Sequence, residues 1–312
     1  MNKPLQFAVA AAALTAAAAA GAAALKTVEK RPVHQPASLG NTDPAKKAIL
    51  VISFGTSYEE TREKTIGAIE EDFRQAFPDF EIRRAFTSNI IINKLKKRDG
   101  IEIDTVEEAL QNLANEGFGT VICQPTHVMN GFEYDGIVEE VSQWKNRFIH
   151  LICGHPLLTT ASDYRALVSA LKTEFHDFPS DRALVLMGHG TDHFANSSYP
   201  AFDYYLKAAG CKNFFVGTVE GDPELSDVIK HLKESGLTKV TLTPLMVVAG
   251  DHATNDMCGD DEDSWKNQLL REGFEVDSIL KGLGEYPSVR TLYLKHGMDC
   301  IEELQEEQIR KN

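Results

Sequence analysis

Ile49-Leu50-Val51-Ile52-Ser53-Phe54-Gly55-Thr56 and Leu184-Val185-Leu186-Met187-Gly188-His189-Gly190-Thr191 each read as a buried β-strand running into a small-residue turn. An apolar, β-branched run without polar alternation marks a strand covered on both faces, and the glycine behind it marks a sharp turn at its carboxyl end. A second pair lies downstream. Pro125-Thr126-His127-Val128-Met129-Asn130-Gly131-Phe132-Glu133 lines up with Pro244-Leu245-Met246-Val247-Val248-Ala249-Gly250-Asp251-His252. Self-similarity at so long a period is duplication of a domain, not a solenoid.

Apolar runs at 48–54, 80–86, 119–124, 149–152, 183–187, 213–217, 239–243 and 275–280 alternate with helix-length amphipathic segments. That alternation predicts an α/β fold of two similar Rossmann-like domains, 47–179 and 180–312, each a parallel sheet flanked by helices. Thr56 or Ser57 ahead of Glu59 and Glu60, and Pro223 ahead of Glu224, are read as helix starts. Ligands of open parallel sheets sit at the carboxyl ends of the strands, so the repeat predicts a site in an interdomain cleft.

Three polar residues fall in the matched turns, His189 opposite Phe54 and Glu133 opposite His252. Two imidazoles and a carboxylate suit a divalent first-row metal or proton transfer. Gly188 and Gly190 leave little bulk beside His189, which lets a large planar ligand approach. His127, in the same loop as Glu133, is left open between a fourth donor, a partner to one, and an ordinary loop residue. His155 and His193 read as polar loop residues. Asp251 to Asp256 and the acidic run Asp260 to Asp263 lack the spacing and terminal Glu of an EF-hand and read as capping and charge.

With 32 Lys and Arg against 46 Asp and Glu, the 312-residue chain carries a formal charge of −14, which disfavours sequence-independent nucleic-acid binding. The basic stretch Lys94-Leu95-Lys96-Lys97-Arg98, with Arg83 and Arg84 nearby, is either a solvated face or a local attractor for carboxylates. No phosphate-binding glycine motif occurs, so nucleotide binding has no support. Residues 1–24, Ala-rich with Lys3 as the one charge, read as a cleavable signal peptide, with an uncleaved anchor as the alternative. Residues 25–46 read as a flexible leader, and nothing else could cross a bilayer, so a periplasmic protein without stable membrane insertion is expected. Five scattered cysteines read as core thiols. A homo-oligomer is the expected assembly, and the tail 287–310 offers an apolar stripe to its own domain or a neighbour.

Ser53 to Tyr58, Arg84 to Ser88, Arg98 to Ile101, Asn130 to Tyr134, Met187 to Gly190, Pro244 to Met246, Ala249 to His252, Asn255-Asp256 and Asp263 to Trp265 are the stretches by which the chain resembles the anaerobic sirohydrochlorin cobaltochelatases of cobalamin biosynthesis. These are class II chelatases related in fold to ferrochelatase. The resemblance implies a chelatase fold with metal bound in the cleft by Glu133, His189 and His252. It implies insertion of Co²⁺, or Fe²⁺, into sirohydrochlorin with release of two protons, without ATP or any cofactor beyond the substrate metal; Ni²⁺ fits the donor types equally. His189 and His252 then deliver the metal, and Glu133 or His189 takes protons. Phe54 and Met246 would either cover the macrocycle faces or simply pack in the core, and Arg84, Lys96, Lys97 and Arg98 would attract its carboxylates. Because ligand histidines bind when neutral, activity is expected to fall in mild acid. Export departs from a cytoplasmic pathway and leaves open an exported protein that binds or transports metal or haem.

Overall fold

Two four-stranded parallel sheets of one topology carry the fold, in a computed structural model that describes residues 42–311. The first comprises β1 (Asp43–Ser53), β2 (Glu81–Phe86), β3 (Phe118–Pro125) and β4 (His150–Cys153) in the order β2-β1-β3-β4. The second comprises β5 (Arg182–Gly188), β6 (Phe214–Thr218), β7 (Lys239–Pro244) and β8 (Glu275–Ser278) in the order β6-β5-β7-β8. All eight expected strands are present. The apolar run of β1 lies at the sheet centre, where Ala48, Ile49, Leu50, Val51 and Ile52 are all fully buried by helices on both faces. The second sheet repeats this with Ala183 to Met187.

The strand order decides where a ligand can sit. In each sheet the chain leaves the central strand to one side and returns on the other, so the central pairs β1/β3 and β5/β7 mark a switch point that opens a crevice at their carboxyl ends. The turns after these strands are the four stretches that the internal repeat matches.

Two local expectations change. The strand β1 begins at Asp43, inside the stretch read as leader, because Asp43 N–H donates to Gly117 O at 2.8 Å. Its register shifts between Asp43 and Lys47, an irregularity that accommodates Pro44, which has no N–H for a regular ladder. The signal peptide at 1–24 and residues 25–41 lie outside the described residues. The first helix starts at Glu59 with Tyr58 as its N-cap, while Thr56 Oγ1 accepts from Tyr58 N–H at 3.3 Å. The cap read at Thr56 or Ser57 thus becomes a turn ahead of the helix.

The C-terminal helix, Pro287–Lys311, packs across the other half of the chain against the helices Ala161–Glu174 and Ala68–Ala76 and against β3. Tyr293 is fully buried and its hydroxyl donates to Thr126 O at 2.7 Å. Arg290 pairs with Asp72 at 2.6 Å, and Ser288 Oγ donates to Glu174 Oε1 at 2.7 Å. The apolar stripe read in the tail packs in the same direction, with Val289, Tyr293, Cys300 and Leu304 buried in the chain's own core. Among the described residues no helix is long and apolar enough to cross a membrane. The five cysteines are unpaired, and burial pushes the Cys153 and Cys300 thiols up to about 12, which keeps them as unreactive core groups.

Candidate metal centre

Three loops at the carboxyl ends of β5, β6 and β7 bring His189, Glu220 and His252 together. One ligand atom from each lies within 4.8 Å of the other two, the one such group of three among the described residues. The imidazole rings meet edge to face, with centroids 4.5 Å apart and an interplanar angle of 85°. Both histidines carry a fixed tautomer. His189 Nδ1 donates to Gly190 O at 2.8 Å, and His252 Nδ1 donates to Asp256 Oδ2 at 2.6 Å, so each Nε2 keeps its lone pair for a metal. The Asp256 carboxylate also fixes the orientation of its imidazole, as outer partners of ligand histidines do.

The glycines beside His189 serve the protein itself. A Cβ on Gly188 would lie 2.1 Å from the Tyr199 ring, and one on Gly190 would lie 2.6 Å from the Glu220 carbonyl carbon. Gly190 also sits at φ +86°, a left-handed conformation that glycine adopts without strain. Tyr199 Oη accepts from Gly190 N–H at 3.1 Å, and Glu220 N–H donates to His189 O at 2.7 Å. The small residues read as space for a planar ligand are therefore the means by which the β6 loop closes on His189 and delivers Glu220.

Of the sequence-read donors, His189 and His252 meet, and Glu133 does not join them. Glu133 stands exposed in the first turn of the helix Phe132–Gln143, which follows β3 in the other half of the molecule. Glu220 takes the carboxylate place. His127 is not in the group either: both its ring nitrogens are buried without a hydrogen-bond partner, and burial pushes its pKa down to about 4. Phe54, just past β1, is 47% exposed, and Met246 is half-buried against the core of the second sheet. Arg84 is committed elsewhere, gripping the buried Glu70 through two hydrogen bonds of 2.6 and 2.8 Å. Lys96 pairs with Glu102 at 2.9 Å, and Arg98 with Asp99 at 2.6 Å, while Arg98 also donates to Ser57 O in the turn after β1. Lys97 lies exposed on the same helix, Asn89–Asp99.

Glu220 was missed because it lies outside both matched pairs. The signal for it is a carboxylate two residues beyond a strand end, in Thr218-Val219-Glu220-Gly221, after the strand that neighbours β5. His193 and Asp135 were missed as a contact, since the histidine read as a polar loop residue is only 6% exposed and pairs with Asp135 at 3.2 Å.

Paired sheets whose switch-point loops gather two oriented imidazoles and a carboxylate define an α/β protein equipped to hold a first-row transition metal. The chain belongs to the cobalt chelatase (CbiK) family, whose pattern matches residues 47–302. It is 45% identical over 251 residues to the sirohydrochlorin cobaltochelatase of Salmonella typhimurium, a match covering 80% of this chain and 95% of that one. It is 34% identical over 254 residues to sirohydrochlorin cobaltochelatase CbiKC of Nitratidesulfovibrio vulgaris, covering 80% of this chain and 89% of that one. Among solved structures, CbiX, the terminal enzyme for biosynthesis of siroheme in denitrifying bacteria, is similar with a TM-score of 0.49 and 15% identity over 81% of this chain and 99% of that one.

Proposed function

We propose that the protein is a sirohydrochlorin cobaltochelatase that inserts Co²⁺ into the macrocycle and releases two protons. The observation that carries this reading is the oriented His189–Glu220–His252 group, in a chain of this family. Two neutral imidazoles and one carboxylate hold a divalent ion while leaving coordination positions open, which a metal in transit needs. As the ion enters the ring it exchanges protein and water ligands for four ring nitrogens, and the two inner N–H protons must leave. Glu133, in the first turn of the Phe132–Gln143 helix and outside the donor group, is the proposed first acceptor of those protons, which frees Glu220 for the metal. Phe54 presents an exposed aromatic face beside the same crevice and is proposed to cover the ring.

The chain's composition over 1–24 supports export, and mass spectrometry of the mature N-terminus in a periplasmic fraction tests that part. The chemistry is tested by incubating purified protein with sirohydrochlorin and Co²⁺ and following the absorption spectrum. Many product molecules per chain are expected. A single equivalent at most would mark a metal or tetrapyrrole carrier and overturn the enzyme reading.

A further inference from the structure

The loop that begins at His189 does not end on its own lobe. His193 in that loop crosses to the other half of the molecule, where its Nε2 lies 3.2 Å from Asp135 Oδ2 and its ring meets the Phe132 ring edge-on with centroids 4.7 Å apart. Its tautomer is set from within the loop. Ala195 N–H donates to His193 Nδ1 at 3.1 Å, so Nδ1 holds a lone pair and the ring proton sits on Nε2, pointing to the carboxylate. His193 N–H in turn donates to Thr191 Oγ1 at 3.1 Å, which braces the stretch between His189 and His193. A second crossing stands at the other histidine, where Tyr58 Oη donates to Asp251 Oδ1 at 3.2 Å beside His252.

Both ends of the first crossing lie on elements of the site. Asp135 shares the helix Phe132–Gln143 with Glu133, and His193 shares a loop with His189. The three metal donors, by contrast, all stand on loops of the second sheet. An ion can therefore bind without the first sheet's loops, whereas any step that uses Glu133 depends on how far those loops stand from the donors.

We propose that Asp135 and His193 are a positioning pair for metal insertion, holding the Phe132–Gln143 helix, and with it Glu133, at a fixed distance from His189, Glu220 and His252. This rests on the chelatase reading. The pair acts on turnover and not on ion affinity, because misplacing a reacting group by about 1 Å can cost up to about 100-fold in rate without touching the groups that bind.

Three variants of the full chain separate clasp from cap. D135A removes the acceptor, and D135N keeps an oxygen for the Nε2–H. H193N leaves a side-chain oxygen that can still accept from Ala195 N–H, as Asn does at helix starts, but is too short to reach Asp135. Co²⁺ titration without tetrapyrrole is expected to give the wild-type affinity in all three. D135A and H193N are expected to lower kcat by about 10-fold to 100-fold with KM little changed, and D135N to recover most of the loss. Amide hydrogen exchange over 132–143, faster in D135A and H193N and restored in D135N, reads the clasp without turnover. Wild-type kcat and exchange in D135A and H193N would overturn the proposal, as would a Co²⁺ affinity that falls together with kcat, or D135N as impaired as D135A. A wild-type protein without turnover would overturn the chelatase reading instead, and exchange would still decide the clasp.

Discussion

The two halves of the molecule share one strand order and one set of crevice-forming turns, yet they carry opposite equipment. After β5, β6 and β7 the turns hold two imidazoles and a carboxylate; after β1 and β3 the matching turns hold Phe54, Tyr58, Phe132 and Glu133. The repeat supplies position, and the side chains decide chemistry. One half gathers donor side chains within a few ångström of one another, while the other offers aromatic surface and a separate carboxylate.

If that asymmetry is right, substitutions in the two halves fail differently. The largest effect is expected for His189→Ala or His252→Ala. Either should cut steady-state chelation by more than about 100-fold, exceeding what loss of an outer partner costs, and lower Co²⁺ affinity in parallel, with an unchanged circular dichroism spectrum. Normal rates in either would move the metal out of the second half. Asp256→Ala comes next. It leaves the ligand set intact but frees the His252 tautomer, so a loss of about 10-fold in Co²⁺ affinity is expected by titration, and no loss would make the 2.6 Å contact incidental.

The smallest effect concerns His127 and is one of stability. Burial holds its pKa at about 4, below the value near 6.5 of an unfolded histidine, so the fold favours the neutral ring. Its contribution is complete above about pH 6.5 and is lost as pH falls towards 4, where the unfolded chain has already taken up a proton. His127→Leu removes a titratable ring whose nitrogens have no partner. Urea unfolding midpoints at pH 7.5 and 4.5 should therefore lie closer together in the variant. An equal or wider gap would place the acid sensitivity elsewhere.

The fold was legible because continuous apolar runs such as Ile49 to Ile52 can only be strands buried on both sides, and because the turns behind them repeat. His189 and His252 were legible for the same reason. Glu220 was not, since its loop has no counterpart in the repeat and reaches His189 only through the close backbone approach that Gly190 permits. Glu133 was read as a donor from a matched turn, but spacing along the chain does not measure distance across the molecule, and Glu133 stands outside the donor group. The pairing of His193 with Asp135 was invisible for a related reason: a loop histidine becomes buried only when another lobe arrives, and nothing in Thr191-Asp192-His193-Phe194 announces the partner.

Co²⁺ titration of the full chain without tetrapyrrole, comparing Glu220→Gln with Glu133→Gln, tests the division of labour most directly. Glu220→Gln is expected to weaken binding by about 10-fold or more, while Glu133→Gln binds as the wild type does. Loss of affinity in Glu133→Gln with wild-type binding in Glu220→Gln would contradict that division.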